Sequence, residues 1–279
     1  MVEHEVASHI EHVATHHPET HSEFPNLITV IKHAFPNSGW ADFLHQWENV
    51  FFSLMVAGVI LLIGIAGSRK ISMIPKSIQN FVELFVEAIE TFVTGILGER
   101  GREYVPFLGT VFIYILFMNW SGLIPLLKSS TSVWGTTVAL AITTMVYVQW
   151  AGIRAQGLPH YLKHLAGNPS NLLGFILIPL MLIINLSIEF IAVPLSLSLR
   201  LFANISSEDK LLFKFAELNV LFKGLPFLLQ LFANVLAIAF SLVQAFVFML
   251  LSTVYISLVL PHEEHHHGHE QNMLPAHQP

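Results

Sequence analysis

Pro194-Leu195-Ser196-Leu197-Ser198-Leu199-Arg200-Leu201-Phe202-Ala203-Asn204 places one permanently charged guanidinium in a run of leucines, serines and small residues. From Phe190 to Ser207 Arg200 is the only charge, and the nearest acids, Glu189 and Glu208, stand just beyond the ends. A cation at bilayer depth costs at least roughly 2.5 to 3.5 kcal/mol, so it persists only where a partner or a polar pathway compensates it. Arg200 is therefore the first candidate functional residue.

The remainder of the chain reads as a membrane protein. Hydrophobic residues make up 53% and charged residues 11%, and the mean hydropathy is +0.62, outside the range of an ordinary soluble domain. Charge-free runs cover Asn49 to Ser68, Tyr104 to Leu127, Ser129 to Ile153, Leu165 to Ile188 and Gly224 to Leu260. Each reaches about 20 residues, enough for an α-helix to cross roughly 30 Å of hydrocarbon. Between the first two, Lys76 to Gly98 sets Glu83, Glu87 and Glu90 on one stripe and Phe81, Phe85, Ile89, Phe92 and Ile96 on the rest of the cylinder. That is the pattern of an amphipathic helix at an interface. The expected fold class is thus all-α: about five membrane helices plus one interfacial amphipathic helix.

Two helices are too long to stand upright. The final charge-free run would be roughly 55 Å long, and Leu172 to Asn204 roughly 50 Å, with Pro179 and Pro194 as kinks. Both must tilt or bend, and the reading packs the last two as a hairpin. Residues 1–48 are expected to be a polar, His-rich tail with no cleavable signal peptide, 49–260 the membrane domain, and 261–279 a second His-rich tail. With 0 Cys there is no disulfide, thiol nucleophile or thiolate site. Most of the 16 His lie in the tails, where a solvating role outweighs metal binding, and no metal site is assigned. Five crossings put the termini on opposite sides, and the Lys/Arg distribution places the N-terminus outside and the C-terminus in the cytoplasm.

Projected at about 100° per residue, Glu189, Ser196, Asn204 and Ser207 fall near Arg200 on one polar face. A second stripe on the last helix joins Gln230, Asn234, Ser241, Gln244, Ser252 and Tyr255, interrupted by Ala237 and Phe248. Single amides and hydroxyls commonly glue membrane helices together. Two stripes and a charge point instead to an ion path. Nucleophilic catalysis is disfavoured: no Ser/His/Asp set is visible, and the spans hold no histidine to serve as a base.

Pro194 to Asn204, together with Val243-Gln244-Ala245-Phe246 and Asn119-Trp120-Ser121-Gly122-Leu123-Ile124-Pro125, resembles subunit a of the F-type ATP synthase membrane sector. The likeness covers roughly Val50 to Leu260. It implies a stator subunit of the bacterial inner (plasma) membrane, with no catalytic site of its own, which couples proton or Na⁺ flow to rotation and ATP synthesis. Arg200 would be the essential arginine, facing a rotating ring of c subunits between two offset half-channels. By position the resemblance carries Asn204 and Gln244 to the residues beside it, Glu208 or Asp209 to the outer half-channel, and Glu189 to the inner one. Ser196, Ser207, Gln230, Asn234 and Ser241 complete the candidate lining. The implied partners are the c-subunit ring, the peripheral-stalk b subunits, the remaining synthase subunits and membrane lipids, with no nucleic acid and no cofactor. Val133 and Ala237 stand where some relatives carry an aspartate and a histidine, so no role is placed on either. A stand-alone secondary ion transporter is the alternative, since Leu201-Phe202-Ala203-Asn204 recurs as Leu231-Phe232-Ala233-Asn234.

Overall fold

The computed structural model describes residues 26–36, 38–68, 77–124, 126–167, 172–221 and 227–260, among which every regular element is helical. In chain order these are α1 (Leu27–Ala34), α2 (Gly39–Gln46), α3 (Glu48–Ser68), α4 (Ser77–Leu97), α5 (Val105–Ser121), α6 (Trp134–Gln156), α7 (Leu158–Leu165), α8 (Leu172–Ser187), α9 (Val193–Leu221) and α10 (Phe227–Val259). Short 3₁₀ turns precede α5 and α6. The chain is an all-α, multi-pass membrane protein. Four helical stretches are long and apolar enough to span: α3, α6, the continuous path Leu177–Val220, and α10. The apolar α5 is shorter, at 17 residues.

The Leu177–Val220 path has 44 residues and would be about 66 Å long as a straight helix, twice the hydrocarbon thickness. Its irregularity falls at a π turn, Ile188–Ala192, between α8 and α9. Pro194 supplies the physical cause: it has no N–H for the carbonyl four residues back and its ring crowds that carbonyl, so the ladder widens just before it. Pro179 sits inside α8. The Arg200 helix runs on to Leu221, well past the polar residues at its centre.

The core lies where α5, α6, α9 and α10 meet. Leu108 and Ile115 of α5, Val148 of α6, Leu197 and Leu201 of α9, and Phe248 and Ile256 of α10 are all buried in one cluster. The amphipathic α4 seals its edge, burying Ile89 and Val93, with Phe85 on Phe112 (5.7 Å) and Phe92 on Phe246 (4.9 Å). Glu83 and Glu87 are exposed on its other side, as the spacing predicts. Leu54, Leu61, Ile183 and Ile191 are also exposed, a surface that suits lipid rather than water.

Order starts earlier than residue 49. The Asn26 side chain caps α1 by accepting from Thr29 N (2.8 Å), and Leu27 N donates to the Leu126 carbonyl of the α5–α6 connection (2.8 Å). Around the start of α3, Lys128 Nζ lies 2.8 Å from Glu48 Oε1, and Asn26 Nδ2 donates to Glu48 Oε2 (3.3 Å). One carboxylate so ties α1, α3 and the α5–α6 connection together. The His-rich stretches at 1–25 and 261–279 lie outside the described residues.

Candidate functional site

α9 and α10 pack as an antiparallel hairpin with a regular polar seam. Asn219 Nδ2 donates to Gln230 Oε1 (2.8 Å), Ser241 Oγ to Glu208 Oε1 (3.3 Å), and Asn204 Nδ2 to Gln244 Oε1 (2.7 Å). Each step back along α9 is matched, to within one residue, by a step forward along α10, as antiparallel neighbours require. Three of the side chains expected on the α10 stripe, Gln230, Ser241 and Gln244, thereby meet α9. Asn234 is exposed, and Ser252 bonds back to the Phe248 carbonyl within its own helix (2.8 Å).

Arg200 lies just past the end of this seam, on an exposed strip of α9. Leu197, Ser198, Leu201 and Ile205 are buried, whereas Ser196, Leu199, Arg200, Ala203, Asn204 and Ser207 are exposed. No ion pair to Arg200 occurs among the described residues. The guanidinium is thus presented outward, with an amide one turn away that is already held by Gln244.

C-terminal to Arg200 a groove of about 710 Å³ opens between α9 and α10, lined by Asn204, Ser207, Glu208 and Gln244 among apolar residues such as Phe232 and Leu236. The two neighbouring acids part company here. Glu208 faces this groove, while Asp209 faces a small pocket with Gly122, Lys128, Ser129 and Ser132 of the α5–α6 connection. Gly122 permits that approach: a Cβ there would lie 2.7 Å from Ser129 Cβ and 3.4 Å from Asp209 Oδ1.

N-terminal to Arg200 the expectation of one continuous polar face is corrected. Glu189 lies in the π turn and its Oε2 accepts from Gln149 Nε2 of α6 (3.0 Å) and from the Tyr161 hydroxyl of α7 (3.1 Å). A π turn holds more residues per turn than an α turn, so a projection at 100° per residue misplaces everything before it. Asn185, one turn further back, donates to the Leu165 carbonyl at the end of α7 (2.8 Å). Burial first, and then the Glu189 carboxylate, push the Tyr161 phenol well above its usual range, so it keeps its proton and donates. Gln149 and Tyr161 were not singled out from the sequence. A lone glutamine inside an apolar span was the available signal for the first; Tyr161, on a short polar helix, offered none.

The chemistry available is that of ion transfer. Carboxylates, amides and hydroxyls exchange or hold protons and water, and a guanidinium does not deprotonate. Among the described residues there is no cluster of His, Asp and Glu suited to a metal.

A family model described as ATP synthase A chain matches residues 50–257. The chain is 43% identical over 249 residues to ATP synthase subunit a of Protochlamydia amoebophila, covering 87% of this chain and 90% of that one. It is 35% identical over 239 residues to ATP synthase subunit a of Moorella thermoacetica (86% and 96% covered) and 34% identical over 224 residues to that of Helicobacter acinonychis (80% and 93% covered). The match takes in α9, nearly all of α10 and the α5–α6 connection that frames them, and the chain belongs to the ATP synthase A chain family.

Proposed function

We propose that this chain is the stator subunit of a bacterial F-type ATP synthase and that Arg200 separates two ion half-channels set against a ring of c subunits. One observation carries the reading: an outward-facing Arg200 stands between two carboxylates that point into different environments. Glu208, eight residues on, lies about 12 Å away along the axis, and Glu189, eleven residues back, roughly 16 Å away. The first opens to the α9–α10 groove with Asn204, Ser207 and Gln244; the second opens to α6 and α7. Glu208 is the lining acid of the outer path. Asp209 supports it by holding the α5–α6 connection.

An ion entering by one path neutralises a ring carboxylate, which can then travel through lipid; it leaves by the other path when that carboxylate returns to Arg200. The arginine attracts the deionised carboxylate and blocks direct leakage, because it has no proton to pass on at physiological pH. Each elementary charge crossing contributes about 2.3 kcal/mol per 100 mV, and that is the source of torque. The chain holds no catalytic site of its own; chemistry on ATP belongs to other subunits. Its partners are the c-ring, the b subunits of the peripheral stalk and the rest of the complex. It lies in the bacterial inner membrane with its N-terminus outside. A solitary transporter is disfavoured by the family and by a guanidinium that meets no carboxylate among the described residues.

The test is Arg200→Ala in inverted membrane vesicles carrying the assembled complex. ATP-driven acidification is lost while the c-ring and the ATPase head still co-purify. Pumping at the unmodified rate overturns the mechanism.

A further inference from the structure

Glu189 is held by two donors on helices that the ion-path reading has so far left unused. Its Oε2 accepts from Gln149 Nε2 at 3.0 Å and from the Tyr161 hydroxyl at 3.1 Å. Both partners are deeply buried, with Gln149 7% and Tyr161 4% exposed. The Tyr161 ring is fixed as well: a Cβ on Gly152 of α6 would come within 3.1 Å of its Cε2, so the phenol is wedged directly against the α6 backbone. The carboxylate itself sits in a π turn, a feature that recurs at functional sites.

We propose that Gln149 and Tyr161 form a clamp that keeps Glu189 hydrogen-bonded in both of its protonation states, which makes α7 the wall of the ion path on this side of Arg200. The clamp rests on the assignment of Glu189 to that path. Its chemistry is the amphoteric character of the two partners. As a carboxylate, Glu189 only accepts, and both partners donate to it. Once it takes up a proton it must donate, and each partner has an acceptor to offer. The tyrosine oxygen has lone pairs, and the Gln149 Oε1 is buried with no hydrogen-bond partner among the described residues. Rotating that amide by half a turn exchanges donor for acceptor in place. Glu189 thus keeps hydrogen-bond partners in either state, and losing them is what costs most for a group held inside a protein. A lysine or arginine in either position could serve the charged form alone and would trap it. The proton passes to and from Glu189 without net change in the clamp, so no other reactant is needed.

The experiment is a double-mutant cycle in the assembled complex in inverted vesicles, with the initial rate of ATP-driven acidification as the readout and c-ring co-purification as the assembly control. Tyr161→Phe keeps the wedged ring and removes only the hydroxyl. Gln149→Met keeps the volume and removes both donor and acceptor. Each is expected to slow pumping about ten-fold, the order set by losing a hydrogen bond to a charged group. In a Glu189→Gln background neither should slow it further, because both act through Glu189. Equal loss in both backgrounds would mark the two residues as general packing and overturn the clamp; so would wild-type pumping by both single variants. If Glu189→Gln itself pumps at the wild-type rate, the assignment of Glu189 to the path fails instead. That result is separable because it needs neither clamp variant.

Discussion

Replacing Lys128 by methionine should cost about 3 kcal/mol of stability, and the reason lies in how Glu48 is held. The two side chains are 14% and 11% exposed, and Nζ lies 2.8 Å from Oε1. At an effective dielectric of about 20, that separation corresponds to a gross attraction of about 6 kcal/mol, most of which repays desolvation. Removing one partner leaves the other as a buried, uncompensated charge, which typically costs about 3 to 5 kcal/mol. The low end applies here, because the Glu48 carboxylate keeps Asn26 Nδ2 at 3.3 Å and has His45 Nδ1 3.2 Å away, although the latter is not aligned as a hydrogen bond. Removing the charge as well, in Lys128→Met with Glu48→Gln, should recover stability to within about 1 kcal/mol of the original, since replacing both members of a buried pair is often nearly neutral. Equilibrium unfolding of the purified chain in mixed micelles measures both variants. A single variant within about 0.5 kcal/mol of the parent, or a double variant no better than the single, would refute the argument that this pair pins α1 and the α5–α6 connection to α3.

Two further substitutions test the outer path. Gly122→Ala puts a Cβ 2.7 Å from Ser129 Cβ, beside Asp209; the strain should lower stability by about 1 to 3 kcal/mol, visible as a lower thermal midpoint, and Ser129→Gly in the same chain should recover part of it. Ser241→Ala removes the donor to Glu208 at 3.3 Å; at about 0.6 kcal/mol for an intramembrane hydrogen bond, ATP-driven pumping should slow roughly three-fold. Ser241→Thr should retain the rate, and an unchanged rate in the alanine variant would count against Glu208 as the lining acid.

Much of this was legible from residues alone, and the exceptions share a physical cause. A charge in an apolar run announces Arg200 without any geometry, and hydropathy with helix length finds the spans. The α10 stripe was readable because α10 is regular: Gln230, Ser241 and Gln244 do meet α9. What failed was the extrapolation through Ile188–Ala192, since periodicity carries phase only as long as the helix keeps one pitch. Glu189 therefore turned out to face α6 and α7. Tyr161 belongs to an eight-residue helix, too short for a periodic signal, and its importance is a matter of tertiary placement. The segment 26–48 looked like tail because its helices are short and mixed in polarity; it is ordered through caps and one buried carboxylate, which composition does not register.

The polar seam between α9 and α10 also bears on the proposal that Arg200 is met by a partner outside the chain. Its contacts step from Asn219 with Gln230, through Glu208 with Ser241, to Asn204 with Gln244. One turn further along α9 is Arg200, and the same antiparallel register brings it level with Phe248, which is 1% exposed and belongs to the apolar core. The seam stops just short of the guanidinium. A structural arginine at this depth would be expected to sit within the seam, paired by a carboxylate or carbonyls of α10, because the cost of a buried cation falls only when its donors are met. Instead, α10 offers hydrocarbon at that level, and α9 turns Arg200 to its open face. The amide of Asn204, fixed by Gln244, braces the turn next to it, so the guanidinium is presented from a rigid helix pair. Among the described residues no carboxylate pairs with Arg200, and on the proposed reading the compensation arrives laterally from another chain, as an acid that alternates between charged and neutral forms and so can be both held by Arg200 and released from it.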